Sequence, residues 1–424
     1  MPNKNDIYQM DCSAVVYPYI ATKDVNQSFT MEADLDTDID PVRLKAAAQS
    51  LCERFPTMFV KLHTDSKGYA LEHVHDVTPF VMERPDVLNQ PFDLSQNNDH
   101  LVRITYKKNR VAVEVFHSVS DGSGGIALLK SIIAEYYRSM GEEVSATHGV
   151  LLKEDPVKAT ETEDSFRTNC DVKRKNASRA GKKAQQYYHD GPFDTWHQTE
   201  LSMSVDELKA LSKKNGATIT EYLASLYLYT FYRFFKNEKM NKPITLSVPI
   251  NLRPMFNSET LRNFSLYFFA TVPKMKGEVT FDDILQKVKK DFVAGMDKDL
   301  ILDTIKTNVT QNDMAVFVKA PRCIKQAILR FGNGIYGEGL FTSTLSNLGL
   351  VKFPEELVPH VRMFRAILGP SPKNNIKMTA YCYGKTFAMM VASSLKSREI
   401  ENDLKTLLEE QGVTVTMKDH SDNW

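Results

Sequence analysis

The pattern of apolar and polar residues predicts strands and helices mixed along the whole chain. In residues 111–116 every second residue is a valine, which is the two-residue period of a β-strand. In residues 124–140 apolar side chains recur every three or four positions, which predicts a helix. Asp40 followed by Pro41 predicts the start of an earlier helix, because aspartate caps helix N-termini and proline is tolerated at the first helical position.

The second half of the chain shows the same mixture. Ser204, with Glu207 three residues later, forms a capping box that predicts a helix. Residues 220–235 are apolar nearly all round, so this predicted helix should be buried. Strands are predicted near residues 244–250 and 342–348. Because strands and helices mix in both halves, the fold class is α/β or α+β.

Length and local composition suggest how the chain is divided. A chain of 424 residues exceeds one ordinary core and indicates two or three domains. A basic, polar stretch near residues 171–186 indicates an exposed connector. The alternative is a basic patch for nucleic acid or for coenzyme phosphates, but the stretch has no interleaved aromatic residues. We therefore predict an N-terminal lobe at 1–160, a basic connector at 161–190 and a C-terminal lobe at 191–424.

Charge and cysteine usage narrow the function classes. The chain has 53 basic and 53 acidic residues, so no overall field favours nucleic acid or an anionic membrane. Its five cysteines form no CxxC pair, which predicts a reducing compartment without disulfides or a zinc site. The start lacks the features of a signal peptide, and no apolar stretch reaches the roughly 18 residues of a spanning helix. We therefore expect a cytoplasmic protein with no membrane span.

The strongest chemical signal is a histidine at the end of a predicted strand. The apolar strand stops at His117, and Asp121 and Gly122 precede the next helix. Strand ends can present reactive side chains in fixed positions, and a histidine there suits proton transfer near neutral pH. The alternative is that His117 only satisfies its own hydrogen bonds and Asp121 only caps the helix. For these two residues in isolation that alternative is the better one.

The surrounding residues reverse this balance because they resemble the coenzyme-A-dependent acyltransferase superfamily. Its members include chloramphenicol acetyltransferase, condensation domains of nonribosomal peptide synthetases and alcohol O-acetyltransferases. The family motif is HxxxD, often HHxxxDG, and residues 117–122 match it, with Phe116 in place of the first histidine. This departure most resembles the stand-alone acyltransferases. Further matches follow the family order: residues 90–94 (Gln-Pro-Phe-Asp-Leu), 248–254 (Val-Pro-Ile-Asn-Leu-Arg-Pro), 262–264 (Arg-Asn-Phe) and 346–349 (Ser-Asn-Leu-Gly).

The resemblance implies a fold and a role for individual residues. The fold is two chloramphenicol-acetyltransferase-like lobes, each a mixed sheet flanked by helices, with an active-site tunnel between them. His117 is implied as the general base, and Asp121 as a structural residue paired with an arginine. Arg253 is the candidate partner, because a guanidinium can grip a carboxylate in a fixed geometry, although it could equally be an exposed arginine at a strand end. Groups that could bind an oxyanion or line the pocket are the backbone near Gly122 and the side chains of Ser346 and Asn347.

The implied reaction is direct acyl transfer, of the alcohol O-acetyltransferase type. Acyl-CoA is the expected co-substrate and a small alcohol or amine the acceptor, with no bound cofactor and no covalent intermediate. A rival is a condensation-type enzyme that uses a carrier-protein thioester, which we expect less because no carrier or adenylation domain accompanies the sequence. A second rival is a noncatalytic binding protein of the same fold, which the intact residues His117, Asp121 and Gly122 disfavour.

Two further patterns in the sequence could indicate cofactor or metal binding. Residues 332–337 match GxGxxG, but a predicted helix before them and a strand after them exclude a dinucleotide site, so we expect a loop. His73 and His75 alternate in a predicted strand and could be metal ligands. Since no third ligand lies at a suitable spacing, we expect surface residues and no metal site.

Overall fold

A computed structural model describes residues 7–22, 27–75, 81–83, 99–177, 181–187, 196–236, 242–273, 277–314 and 319–420. Within them the chain forms three β-sheets flanked by helices, a mixed α/β architecture. The motif at residues 90–94 lies outside the described residues. The strands are β1 Ile7–Tyr8, β2 Ser28–Leu35, β3 Val60–Thr64, β4 Tyr69–His73, β5 Val81–Glu83, β6 Val102–Lys107, β7 Arg110–Phe116, β8 His197–Ser204, β9 Thr245–Asn251, β10 Ser265–Thr271, β11 Ser343–Val351, β12 Val361–Leu368, β13 Ile376–Tyr383, β14 Thr386–Ser393 and β15 Thr416–Asp419.

The helices connect these strands and cover the sheets. The N-cap predictions are confirmed: Asp40 accepts from two backbone N–H groups of the next helix, and Ser204 accepts from Glu207 N. The reciprocal half of the predicted capping box is not formed, because the Glu207 carboxylate accepts from Thr414 N at 3.0 Å instead. Among the described residues no helix has the length and apolar character needed to cross a membrane. The helices are α1 Val16–Ile20, α2 Pro41–Ser50, α3 Gly122–Arg138, α4 Ala159–Thr162, α5 Ser165–Thr168, α6 Val205–Lys214, α7 Ile219–Phe235, α8 Arg253–Phe256, α9 Phe281–Gly295, α10 Lys298–Asp313, α11 Arg322–Tyr336 and α12 Glu399–Glu410.

The loop expected at residues 332–337 was a wrong prediction. Helix α11 continues through Gly332 and Gly334 and ends at Tyr336. The helix stops only at Gly337, whose backbone N–H still donates to Asn333 O. Glycine lowers helix propensity by about 1 kcal/mol but leaves the backbone hydrogen bonds intact, so the pattern of the surrounding residues decides.

The N-terminal sheet has five strands in the order β12-β2-β7-β6-β5. Its central pairs are antiparallel, with β2 and β6 on either side of β7. Strand β12 comes from the C-terminal half of the chain and pairs antiparallel with β2. The division at 1–160 and 191–424 stays a prediction of domain limits, but hydrogen bonding makes one C-terminal strand part of the N-terminal sheet.

The larger sheet has seven strands in the order β10-β9-β11-β13-β14-β8-β15. One of its faces packs on α7, where Tyr227 and Phe231 are fully buried. The opposite face, which includes Tyr381 and Met390, belongs to the same hydrophobic core as Val113 of the N-terminal sheet. The two sheets therefore share one core, and the ends of their strands meet at its margin.

The described part of the predicted connector is not uniformly exposed. Phe166 of α5 is fully buried, and Glu161 of α4 forms a buried ion pair with Arg54, with Nη1 and Oε2 2.6 Å apart. Arg174 binds two carboxylates of α10: its Nε lies 2.7 Å from Asp303 Oδ1 and its Nη2 lies 2.9 Å from Asp299 Oδ1. The Glu161 pair attaches the segment to the N-terminal part of the chain, and the Arg174 pairs attach it to the C-terminal part.

Candidate active site

His117 directly follows the central strand of the N-terminal sheet. Its backbone N–H donates to Gln27 O at 2.7 Å, so the ladder between β7 and β2 continues to the histidine. Phe116 and Ser118 are buried, whereas His117 keeps partial exposure. A strand with partners on both sides thus holds the backbone while the side chain remains accessible.

Two aromatic rings hold the imidazole of His117. Tyr17 of α1 stacks on it, with the ring centroids 4.8 Å apart and an interplanar angle of 14°. Phe29 of β2 meets it edge-on at 5.1 Å. These contacts restrict rotation of the imidazole, because each aromatic pair is favourable by about 0.5–1.5 kcal/mol in one geometry.

The hydrogen bonds of Asn263 define which ring nitrogen of His117 carries the proton. Asn263 Nδ2 donates to His117 O at 2.9 Å and to Asp11 Oδ2 at 3.3 Å. Both partners are acceptors, so the amide oxygen of Asn263 is the atom directed at His117 Nδ1, at 3.3 Å. Nδ1 must then carry the hydrogen, and Nε2 keeps its lone pair. Nε2 makes no hydrogen bond to any residue that the structure describes.

Asp11 supports this arrangement and was missed by the sequence analysis. Its carboxylate is fully buried, and Oδ1 accepts from Ser13 Oγ at 2.8 Å and Ala14 N at 2.9 Å. Burial raises the pKa of Asp11 to about 6, and the nearby Arg262 opposes the rise. Asp11 lies over 100 residues before His117 in a segment without a recognisable motif, so no local signal in the sequence marks it.

Asp121 uses both carboxylate oxygens to join three segments. Oδ1 accepts from Ser123 N at 3.1 Å and so caps α3. Oδ2 accepts from Arg253 Nη1 at 2.8 Å and from Phe264 N at 2.9 Å. Asp121 therefore caps the helix and also forms an ion pair. These hydrogen bonds connect three segments of the chain, and none of them is with His117.

Arg253 lies in the first turn after β9 and is enclosed by acceptors. Besides Asp121, its guanidinium donates to Thr260 O at 2.7 Å and to Arg262 O at 2.5 Å. Its side chain is only 12% exposed, so it is not a free arginine at a strand end. The guanidinium fixes residues 260–264, which include Asn263, against the start of α3.

The first turn of α3 approaches this segment so closely that only glycine fits. A Cβ added at Gly124 would lie 2.0 Å from Ser120 Oγ and 2.3 Å from Leu261 O. Gly122 is less constrained, since its Cβ would meet the end of the Leu348 side chain at 3.0 Å. The Leu348 contact brings β11 of the seven-stranded sheet next to the residues that follow His117.

Gly124→Ala is expected to lower the free energy of unfolding by about 1–3 kcal/mol, because overpacking forces backbone and side chains apart. Urea denaturation measures the change. Gly332→Ala is the matched control, since Gly332 is also helical but has no atom within 4 Å of an added Cβ. That control should be neutral or stabilising, because alanine favours the helix. Equal effects of the two substitutions would contradict the close approach.

Ser346 and Asn347 lie on opposite faces of β11. Asn347 Nδ2 donates to Thr220 Oγ1 of α7 at 2.8 Å, so this amide faces away from the site. Successive side chains of a strand alternate, which places Ser346 on the other face, together with Leu348, which contacts Gly122. Of these two sequence candidates, the structure directs Ser346 toward the residues after His117 and Asn347 toward α7.

Polar residues of β13 continue this face and were not found from the sequence. Ser346 pairs with Thr379, and Thr344 pairs with Lys377, and paired residues share a face. The Lys377 ammonium lies 3.4 Å from Glu338 Oε1. The positive charge of Lys377 also contributes to lowering the pKa of His117. A strand of mixed polar and apolar residues gave no indication of this role.

The surroundings of His117 favour its neutral form. Burial lowers the pKa of His117 below its ordinary value of 6.5, and the charge of Lys377 acts in the same direction. The Asp121 carboxylate and the hydrogen bond to Asn263 oppose this shift. A neutral imidazole with a free Nε2 can accept a proton at neutral pH, which is what a general base requires.

These residues define a two-lobed α/β protein with an accessible histidine where the lobes meet. No protein-family model matches the chain, and no curated protein sequence does. Solved structures match over nearly its whole length and confirm the predicted two-lobed fold class. Polyketide synthase associated protein 5 from Mycobacterium tuberculosis is 15% identical, with a TM-score of 0.57 over 96% of this chain and 98% of that chain.

Two further structures have the same fold. A trichothecene 15-O-acetyltransferase from Fusarium sporotrichioides is 10% identical, with a TM-score of 0.60 over 97% of this chain and 96% of that chain. The starter condensation domain of rhizomide synthetase, in complex with C8-CoA and Leu-SNAC, is 10% identical, with a TM-score of 0.60 over 96% of this chain and 94% of that chain. At these identities the likeness shows the fold.

Proposed function

We propose that this protein is an acyltransferase that moves an acyl group from an acyl-CoA thioester to the hydroxyl or amine of a small acceptor. The main support for the proposal is the hydrogen bonding of the His117 ring. Asn263 holds its Nδ1, and its partly exposed ring leaves Nε2 without a partner among the described residues. The proposed reaction requires both the acyl donor and the acceptor to reach this partly exposed base.

The reaction follows from this lone pair. His117 Nε2 takes the proton of the acceptor hydroxyl or amine, and the acceptor atom attacks the thioester carbonyl carbon. The tetrahedral intermediate collapses, the carbon–sulfur bond breaks, and the imidazolium returns its proton to the departing thiolate. No covalent acyl-enzyme and no bound cofactor take part. Asp121 remains paired with Arg253 throughout and holds no proton of the reaction.

Donors for the oxyanion come from the elements that face His117. The Ser346 hydroxyl and the backbone N–H of Gly122 are the proposed donors, one from each lobe. Hydrogen-bond donors already positioned where negative charge develops often make the largest contribution to catalysis. Each such donor raises kcat by about 10²–10³-fold. The Asn347 amide is excluded from this role as long as it is held by Thr220.

The neighbouring structures support a thioester donor. One is an acetyltransferase by name, and another is a condensation domain whose structure contains C8-CoA and Leu-SNAC. We favour coenzyme A as the carrier of the acyl group and acetyl as the first group to test.

The test is a direct assay of acyl transfer. The purified chain is incubated with acetyl-CoA or longer acyl-CoAs and a panel of alcohols and amines. Free thiol is followed with a thiol reagent and products by mass spectrometry. Acceptor-dependent thiol release is expected. Turnover only with an acylated carrier protein would establish a condensation-type enzyme instead, and no turnover with either donor would leave a noncatalytic binding protein.

The pH dependence of the reaction provides a separate prediction. Only neutral His117 can act as the base, so kcat/KM should rise with pH through the pKa of the free enzyme. Because burial lowers that pKa, the midpoint of the rise is expected below pH 6.5, with a plateau at neutral pH. The measurement is kcat/KM for the acceptor, determined at saturating acyl-CoA from acidic to neutral pH. A midpoint above 6.5 would contradict the assignment.

A further inference from the structure

Three potential metal ligands converge away from His117, at one end of the three-stranded sheet β1-β4-β3. His73 is the last residue of β4, His75 follows it, and Glu53 lies in the turn after α2. One ligand atom from each residue lies within 4.8 Å of the other two. The third ligand, which could not be recognised from its spacing in the sequence, is therefore Glu53, about 20 residues before His73 and outside its strand.

His73 is a buried residue, which corrects the expectation of a surface histidine. Its side chain is 4% exposed, and Nδ1 lies 3.2 Å from Phe59 O. A carbonyl can only accept, so Nδ1 carries the hydrogen and Nε2 presents a lone pair. Nε2 is buried without a hydrogen bond, and the nearest carboxylate oxygen, Glu53 Oε2, is 3.6 Å away.

This arrangement places two acceptors face to face. An unpaired buried nitrogen beside a carboxylate is unfavourable unless a cation or a hydrogen-bond donor lies between them. A metal ion bound by both atoms would satisfy the nitrogen and the carboxylate together. A histidine whose other nitrogen donates to a backbone carbonyl is the usual form of a metal ligand, because the donation fixes the ring and its tautomer.

His75 completes the set from the open side. Its Nδ1 lies 3.1 Å from Glu53 Oε1 and 3.4 Å from Glu53 Oε2. In a tetrahedral zinc site with bonds of about 2.1 Å, ligand atoms are about 3.4 Å apart. The distances from Glu53 to the two histidines are close to this value. Glu53 and His75 are more than half exposed, which leaves room for water at the fourth position.

We infer that Glu53, His73 and His75 form a binding site for a divalent transition-metal ion, with Zn²⁺ as the expected occupant. Two imidazole nitrogens and one carboxylate oxygen are ligands that zinc prefers, whereas magnesium and calcium prefer oxygen alone. The bound ion links the end of β4 to the turn after α2. It plays no part in the proposed acyl transfer, so the two proposals stand independently.

The chain contains a matched comparison for this site. His63 of β3 and Glu72 of β4 form a histidine–carboxylate pair of the same kind, with Nδ1 3.1 Å from Oε2. Among the residues that the structure describes, no further potential ligand lies close enough to complete a three-residue metal site with this pair. His63→Ala therefore controls for loss of a histidine beside a glutamate.

The experiment is a zinc titration of the untagged full chain after removal of metals with a chelator. Cys323 is exposed and is replaced by serine in every variant, so that its thiol cannot bind zinc. Competition with a chromophoric chelator gives stoichiometry and affinity, and thermal unfolding is recorded with and without zinc. One zinc per chain is expected, with a higher Tm. Binding should weaken at acidic pH, because protons compete with the metal ion for its ligands.

Two exposed ligands provide variants that should remain folded. His75→Ala and Glu53→Gln are each expected to weaken zinc binding by at least about 100-fold, beyond the ~10–100-fold typical of a group that only orients a ligand. Both should abolish the zinc-dependent rise in Tm, whereas His63→Ala should keep binding and the rise. Absence of stoichiometric binding, or binding that all three variants retain equally, would overturn the proposal.

Discussion

Replacement of His117 by alanine is expected to slow acyl transfer by about 10²–10⁴-fold, the usual contribution of a positioned general base. The loss should fall on kcat, with little change in KM for acyl-CoA, because the proton is transferred only in the transition state. The variant should remain folded, since the ring is partly exposed and loses mainly its contacts with Tyr17 and Phe29. Steady-state kinetics and the far-ultraviolet circular dichroism spectrum measure the two effects.

Two further variants define the role more sharply. His63→Ala removes a histidine from another sheet and should leave kcat unchanged. Asn263→Ala removes the acceptor that fixes Nδ1–H, so it should lower kcat by less than His117→Ala. It should also lower the pKa seen in the pH profile further, because the hydrogen bond to Asn263 raises the pKa of His117. If His117→Ala kept most of its activity, another group would have to be the base.

Helices, strands and helix caps that depend on local residue patterns could be predicted from the sequence. Alternation identified the strand that ends at His117, and Asp40 and Ser204 marked helix starts because a cap acts on the next few residues. The helical segment at residues 220–235 was recognisable because its apolar residues cover the whole circumference. Each of these signals lies within one element and needs no knowledge of its neighbours.

Features that depend on contacts between distant segments could not be predicted from local sequence patterns. Strand β12 joins β2 across more than 300 residues, and nothing in its own sequence indicates which sheet it enters. Asn263 lies 146 residues after His117, which it contacts, and Asp11, which supports Asn263, lies 252 residues before Asn263. Glu53 meets His73 and His75 only because the turn after α2 packs on β4. Family resemblance suggested Arg253, but its two backbone carbonyl partners, Thr260 and Arg262, could be found only from the structure.

The second large effect is expected at Asp121 and Arg253. Asp121→Ala or Arg253→Ala should each lower the free energy of unfolding by about 3–5 kcal/mol, because one charge of a buried pair loses its partner. The side chains are 8% and 12% exposed, so water cannot replace the missing group easily. Activity should fall in parallel, since the pair fixes residues 260–264 and hence Asn263 beside His117. Urea denaturation and kcat measure the two losses.

The double variant tests whether the two residues act as a unit. Its loss of stability should be smaller than the sum of the single losses by about 1–3 kcal/mol, because the second substitution removes a charge already without its partner. Asp40 and Arg43 are the matched control: Asp40 also caps a helix and pairs with an arginine, but both side chains are nearly half exposed. Their coupling should be about 0–1 kcal/mol, since solvent screens exposed pairs. Additive losses at Asp121 and Arg253 would mean that capping and carbonyl contacts, rather than the ion pair, hold the loop beside His117.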